Sequence, residues 1–150
     1  MTREVLKVVE VLLIEDSAAD ADLVIEAMKG RKVRAHLSVV RNGEEAMSYL
    51  RREGSFVNSV QPDLILLDLN LPKKDGREVL REVKADPFLC SIPVVILTSS
   101  AADSDIRKSY QLHANCYIIK PVDFESFAIA VNQLFDFWFS LVVLPRVHNE

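Results

Sequence analysis

The feature that most constrains the fold is the apolar run within residues 62–70, PDLILLDLN. Leu64 to Leu67 carry no polar side chain, which is typical of a strand covered on both faces, as in a parallel sheet between helices. Pro62 fits the entrance of such a strand. Asp68 follows directly, so the sequence predicts a carboxylate at the carboxyl edge of a buried sheet, where open α/β folds bind ligands. Taken alone, this aspartate fits a loop cap as well as a functional group.

Four other strand-like segments alternate with helical ones. The strands are predicted at 8–14, 33–40, 92–100 and 116–119, and the helices from Ser17, over 43–52, 77–85 and 102–113, and from Asp123 to at least Phe139. Strands that alternate with helices favour one parallel sheet with right-handed crossovers. We therefore predict an α/β fold whose five-stranded parallel sheet has the order 2-1-3-4-5, with helices on both faces.

Length and composition bound the possible functions. The chain has 150 residues, 49% of them hydrophobic, which suits one domain. We expect a core over about 8–135 and an extended last helix and tail over 136–150. A formal charge of −4 without a basic run argues against a nucleic-acid partner. No apolar stretch is long enough for a membrane span and no signal pattern is present, so we expect a cytoplasmic protein. Cys90 and Cys116 match no metal spacing and are predicted to be small buried hydrophobes.

Polar side chains lie at the ends of four predicted strands. Glu15 and Asp16 follow the first, Asp68 follows the third, Thr98 lies near the end of the fourth and Lys120 follows the fifth. Parallel strands bring these ends to one edge of the sheet, where three carboxylates repel each other unless a cation such as Mg²⁺ intervenes. A metal, an ammonium and a hydroxyl around one carboxylate are the groups that bind a phosphoryl group there. The alternative is that these residues form a salt-bridge cluster with a purely structural role.

These residues and their spacing resemble the receiver domain of response regulators of the chemotaxis type, over about residues 8–135. The matched positions are the acidic pair Glu15 and Asp16, the phosphoacceptor Asp68, Asn70 with its backbone carbonyl in the metal site, the loop at 71–76, the hydroxyl switch Thr98, the rotating aromatic Tyr117 and the lysine Lys120. The resemblance implies a flavodoxin-like receiver fold, Mg²⁺ as cofactor and a histidine kinase as phosphoryl donor. It implies no catalysis beyond self-phosphorylation and self-dephosphorylation at Asp68, and a cis bond before Pro121.

A narrower resemblance concerns the segment LLDLNLPKKDGREVL and the tail FWFSLVVLP. Both are similar to single-domain regulators that partner bacterial phytochromes, which implies a phytochrome kinase and a light-signalling phosphorelay. Two alternatives stay open. One is a receiver-like scaffold that works without phosphorylation, and the other is a Mg²⁺-dependent phosphatase with an aspartate nucleophile. The phosphatase family needs a second aspartate where this chain has Asn70.

Two helices near the C-terminus have unusual patterns. The helix at 102–113 is mostly polar, with Ile106, Tyr110 and Leu112 as its few apolar anchors, which predicts a loosely packed element that can move. The last helix carries more apolar residues than one core-facing stripe can bury. We predict that Phe137, Leu141 and Leu144 form a homodimer interface. The alternative is that the tail after Trp138 folds back over its own domain.

Overall fold

The protein folds as five strands that alternate with five α-helices. The computed structural model describes residues 8–29, 31 and 34–145. The strands are β1 (Val9–Ile14), β2 (Ala35–Val40), β3 (Leu64–Leu67), β4 (Val94–Thr98) and β5 (Cys116–Ile119). The helices are α1 (Ala18–Met28), α2 (Gly43–Arg51), α3 (Gly76–Ala85), α4 (Asp103–Gln111) and α5 (Phe124–Asp136). A 3₁₀ turn at Gly54–Phe56 follows α2, and a π-helical turn at Phe137–Leu141 follows α5.

The strands form one parallel sheet in the order β2-β1-β3-β4-β5, which confirms the predicted fold class and topology. All four residues of β3 are buried, as its unbroken apolar run predicts. In the register, Ile14 pairs with Leu67 and Leu67 pairs with Ile96. The central strands therefore reach the same edge of the sheet at nearly the same level.

The sheet separates two hydrophobic cores. Leu12 and Ile14 of β1 belong to the core beneath α2 and α3, whereas Val11 and Leu13 belong to the core beneath α1 and α5. This alternation is the period-two geometry of a strand. Because helices cover both faces of the central strands, polar groups meet solvent where the strands end.

Side-chain caps confirm most of the predicted helix starts. Ser17, Asn42 and Asp123 each accept a hydrogen bond from a backbone N–H in the first turn of α1, α2 and α5. Asp75 caps α3 in the same way. A cap of this kind contributes about 1 kcal/mol to helix stability. Ala102 precedes α4 and provides no side-chain cap, so this helix lacks that contribution.

Several predicted details are wrong. β2 begins at Ala35, and position 33, where we predicted its start, lies outside the described residues. Cys90 is exposed and Cys116 is only half-buried, because Cys90 lies in the loop before β4 and Cys116 on the edge strand β5. Among the described residues no peptide bond is cis, so the bond before Pro121 is trans, the form that X–Pro bonds favour by about 0.5–1 kcal/mol.

The C-terminal segment bears on the predicted fold-back of the tail, whereas the homodimer stays a prediction. Phe137 is 47% exposed and Leu141 is 73% exposed. Leu144 differs, because it is half-buried and packs with Val142 against the core beneath α1 and α5. The tail therefore folds back over its own domain as far as the described residues extend. Within those residues no helix is long and apolar enough to cross a membrane.

Candidate functional site

The ammonium of Lys120 lies between three carboxylates at the carboxyl edge of the sheet. Its Nζ is 2.8 Å from Glu15 Oε1, 2.8 Å from Asp20 Oδ2 and 3.0 Å from Asp68 Oδ2. The Lys120 side chain is only 8% exposed. The side chains of Glu15 and Asp68 are buried to a similar degree, with 2% and 10% exposed. The structure thus brings together three of the predicted residues and adds a fourth, Asp20.

The strand register explains why these groups meet. Ile14 and Leu67 are partners, so the residues that follow them, Glu15 and Asp68, leave adjacent strands side by side. The backbone N–H of Asp68 donates to the Ile14 carbonyl at 3.1 Å. On the other side, the backbone N–H of Lys120 donates to the Thr98 carbonyl at 2.7 Å. Sequence-distant groups therefore converge because the strands are parallel.

Glu15 is a buried carboxyl group whose pKa is raised by its surroundings. It is 2% exposed, and its Oε2 accepts a hydrogen bond from the Ser17 backbone N–H at 3.1 Å. Burial raises the pKa of Glu15 to about 7; the bond to Lys120 opposes this shift, and the negative charge of Asp68 adds to it. The pKa of Lys120 is also raised, because its bonds to Asp20 and Glu15 outweigh the effect of burial. The ammonium is therefore charged at neutral pH.

Asp68 is held by the loop that follows it. Its Oδ1 accepts a hydrogen bond from the Asn70 backbone N–H at 3.2 Å, while Oδ2 contacts Lys120. Gly76, at the start of α3, lies against the Asp68 backbone, and a Cβ there would be 2.3 Å from the Asp68 carbonyl oxygen. Only glycine allows this approach, so Gly76 fixes the loop of residues 71–76 close to the carboxylate.

Thr98 and Tyr117 lie on neighbouring strands beside this carboxylate group. Thr98 is fully buried, and its Oγ1 has no hydrogen-bond partner among the described residues. An unpaired buried polar group costs about 1–3 kcal/mol. The half-buried Tyr117 donates its hydroxyl to the Ser100 carbonyl at 2.9 Å. The Thr98 hydroxyl is therefore a donor that a ligand could satisfy.

The donor set at this edge suits a hard divalent cation. Asp16 is exposed next to Glu15, and within the described part of the chain no three such groups converge closely enough to hold a metal ion unaided. Three carboxylates nonetheless share the ammonium of Lys120, and burial, with the negative charge of Asp68 adding to it, raises the pKa of Glu15. A cation bound by carboxylate oxygens relieves that repulsion, so the residues fit a hard divalent cation.

The contact between Asp20 and Lys120 was not predicted from the sequence. The backbone N–H of Asp20 donates a hydrogen bond to Ser17 Oγ at 3.2 Å, and its carboxylate accepts one from Lys120 Nζ at 2.8 Å. The available signal was spacing, since Asp20 follows Asp16 by one helical turn at the start of α1. Asp16, Asn70 and Thr98 make no hydrogen bond to Lys120 through their side chains.

Comparison with known proteins identifies the class. The model of the response regulator receiver domain family matches residues 11–132, which is most of the chain. The chain therefore belongs to the response regulator receiver family, and the predicted family is confirmed. Members of this family are phosphoacceptors rather than enzymes in the usual sense, and they bind divalent metal.

Two of the most similar proteins match this chain over most of both lengths. The chain is 47% identical to the response regulator Rcp1 of Synechocystis sp. over 135 residues, covering 90% of this chain and 92% of Rcp1. The Mn²⁺-bound structure of Rcp1 superimposes with a TM-score of 0.90 over 91% of this chain and 99% of that one. The phosphorylated cyanobacterial phytochrome response regulator RcpA is 48% identical, with a TM-score of 0.91 over 93% of this chain and all of that one.

Proposed function

We propose that this chain accepts a phosphoryl group on Asp68 from a histidine kinase and thereby changes its affinity for a partner. The observation that supports this most directly is the contact between Lys120 Nζ and Asp68 Oδ2 at 3.0 Å, beside the Thr98 hydroxyl, which has no partner in the described part of the chain. A carboxylate oxygen of Asp68 attacks the phosphorus, the P–N bond of the phosphohistidine breaks, and the imidazole leaves with the electron pair. The product is an acyl phosphate on Asp68.

The proposed cofactor is Mg²⁺, held by the carboxylates of Glu15, Asp16 and Asp68 and by the backbone carbonyl of Asn70. When bound, the ion neutralises charge that develops on the transferred phosphoryl oxygens. Lys120 supplies a fixed positive charge next to Asp68, and the buried walls around it keep that charge effective. Glu15 supplies a carboxylate oxygen, the type of ligand that Mg²⁺ prefers. The same groups support slow self-dephosphorylation, the only other reaction that we propose.

The proposed switch uses Thr98 and Tyr117. A phosphoryl group on Asp68 adds charge and acceptor oxygens, to which the buried Thr98 hydroxyl can donate. Movement of Thr98 frees space next to the Tyr117 ring, which rotates inward from its half-buried position. The populations of the two packings then depend on how differently each contacts the phosphoryl group.

The proposed donor is a phytochrome kinase, because RcpA is described as a phytochrome response regulator and is 48% identical to this chain over nearly all of its length. We further propose a homodimer through the C-terminal face. Exposed apolar side chains lie on α4, β5, α5 and the π-helical turn, including Tyr110, Ile119, Ile129, Phe137 and Leu141. Apolar surface of this extent favours a protein partner, and a twofold contact is the commonest arrangement for identical chains.

Phosphorylation of Asp68 is tested by labelling with acetyl phosphate and with a purified phytochrome kinase, in Mg²⁺ and in EDTA. We expect wild type to incorporate acid-labile phosphate only with Mg²⁺, and Asp68→Asn to incorporate none. Asp103→Asn is the matched control, because it removes an exposed carboxylate on α4 and leaves labelling intact. Normal labelling of Asp68→Asn would refute the proposal.

A further inference from the structure

Few apolar contacts hold helix α4 against the rest of the domain. Of its nine residues only Ser109 is buried. Tyr110, which the sequence predicts as an apolar anchor, is 48% exposed. The N-terminus of α4 also lacks a side-chain cap from Ala102. A helix with so little buried apolar surface depends on its polar contacts, and these decide how easily it moves.

Arg77, in the first turn of α3, makes the polar contact that joins α4 to its neighbour. Its Nη2 lies 2.9 Å from Asp105 Oδ1 in the first turn of α4, and its Nη1 lies 2.9 Å from Asp75 Oδ1. Asp105 Oδ2 also accepts a hydrogen bond from Ser100 Oγ at 2.6 Å. The Arg77 and Asp105 side chains are 28% and 23% exposed, so solvent screens the pair only in part. We refer to Arg77, Asp105 and Ser100 as the α3–α4 latch.

Both ends of the α3–α4 latch adjoin the site described above. Asp75 lies at the end of the loop that follows Asp68, and it caps the helix that carries Arg77. Ser100 lies two residues beyond Thr98, and its carbonyl accepts the hydrogen bond of the Tyr117 hydroxyl. The latch therefore connects the loop after the proposed acceptor to the segment that contains the proposed switch.

The charges of the latch are stable around neutral pH. The pKa of Asp105 is lowered, first by its bond to Ser100 and then by Arg77. Burial tends to lower the pKa of Arg77, but its bonds to Asp105 and Asp75 outweigh this effect and raise it. Both partners are therefore ionised under assay conditions, and a change of either one removes a formed ion pair.

We propose that Arg77 and Asp105 are positioning residues that hold α4 in place and so slow the conformational change by which the site accepts a phosphoryl group. This inference rests on the proposed function at Asp68. The latch is formed here together with a Thr98 hydroxyl that has no partner among the described residues. If Thr98 moves toward Asp68, Ser100 moves with it, because only one residue separates them, and the Ser100–Asp105 bond is weakened. The latch therefore stabilises the conformation in which Thr98 is not engaged.

The test uses the full chain with Arg77→Gln, Asp105→Asn and the double variant. We measure backbone amide exchange over residues 99–111 and the rate of Asp68 labelling by acetyl phosphate at fixed Mg²⁺. Partly exposed ion pairs contribute up to about 1 kcal/mol, so each single variant should increase both rates about two- to fivefold. The double variant should show an increase smaller than the product of the two single effects, because both changes remove the ion pair between Arg77 and Asp105.

Arg81→Gln is the matched control, since Arg81 is exposed on the same helix and makes no bond to Asp105. It should leave both rates unchanged. Faster exchange without faster labelling would overturn the inference, because the latch would then be structural only. Unchanged exchange in the single variants would overturn it as well. A wild-type chain that is not labelled at all would instead refute the proposed function. The exchange data would still show whether the latch holds α4 in place.

Discussion

Lys120 Nζ lies 3.0 Å from Asp68 Oδ2, although the two residues are 52 positions apart in the sequence. The contact exists because β3 and β5 flank β4 in a parallel sheet, which brings their carboxyl ends to one edge. A lysine with three carboxylate partners is immobilised and keeps its charge, whereas a free surface lysine would be solvated and mobile. The same contact places a positive charge where the proposed phosphoryl oxygens would lie, so the site is organised before any ligand binds.

Asp16→Asn is expected to weaken Mg²⁺ binding and to leave the fold intact. Asp16 is exposed and does not contact Lys120, so the free energy of unfolding in EDTA should change by no more than about 0.5 kcal/mol. Mg²⁺ affinity is measured by titration calorimetry, and stability by urea unfolding. Asp22→Asn, an exposed carboxylate on α1, is the control and should bind Mg²⁺ normally. Strong destabilisation of Asp16→Asn without metal would mean that this carboxylate is structural.

Glu15→Gln is expected to change how the stability of the metal-free protein depends on pH. Burial raises the pKa of Glu15 from its ordinary value of 4.5 to about 7. The folded state therefore holds this proton more tightly than the unfolded state, and its stabilising effect is present below pH 4.5 and lost as the pH rises toward 7. Relative to Glu15→Gln, wild type should lose up to about 3 kcal/mol over that interval.

Urea unfolding in EDTA at several pH values between 4.5 and 7.5 measures this difference. Glu78→Gln provides a control, because Glu78 is an exposed carboxylate on α3. Parallel curves for wild type and Glu15→Gln would show that Glu15 titrates like an exposed carboxylate.

Thr98→Val is expected to stabilise the protein and to abolish switching. The substitution keeps the shape of the side chain and removes a buried hydroxyl that has no partner among the residues described, so stability should rise by about 1 kcal/mol. Labelling at Asp68 should persist, since Asp68 and Lys120 are unchanged. Phosphorylation should no longer alter amide exchange in α4. A switch that still responds in this variant would exclude Thr98 as the transmitting residue.

Phe137→Glu and Leu141→Glu are expected to disrupt the proposed homodimer. Both side chains are exposed, so a charge there costs little in the monomer and is unfavourable in an apolar interface. Sedimentation at micromolar concentration, with and without phosphoryl donor, measures the effect. Leu144→Glu behaves differently, because Leu144 packs against its own core and its loss lowers stability. If wild type is a monomer under both conditions, the dimer is refuted; if both variants dimerise normally, the interface lies elsewhere.

Much of the fold follows from local patterns in the sequence. The unbroken apolar run before Asp68 predicts a doubly covered strand, and the structure buries all four residues of β3. Ser17, Asn42 and Asp123 are effective caps wherever a helix follows, so the helix starts are predictable too. Once the strands are parallel, the residues at their ends must meet. Glu15, Asp68 and Lys120 were therefore predictable as neighbours from strand positions alone.

Other features depend on contacts between distant segments, which no local pattern specifies. Whether Asp16 or its neighbour one turn later, Asp20, reaches Lys120 depends on how α1 leaves the sheet edge, and the structure selects Asp20. Leu144 turns inward because the π-helical turn after α5 redirects the tail over its own core. The pairing of Arg77 with Asp105 likewise follows only from the packing of α3 beside α4. Periodicity and capping are local and readable in sequence, whereas these pairings are decided by tertiary packing, which fixes the direction in which each helix and tail leaves the sheet.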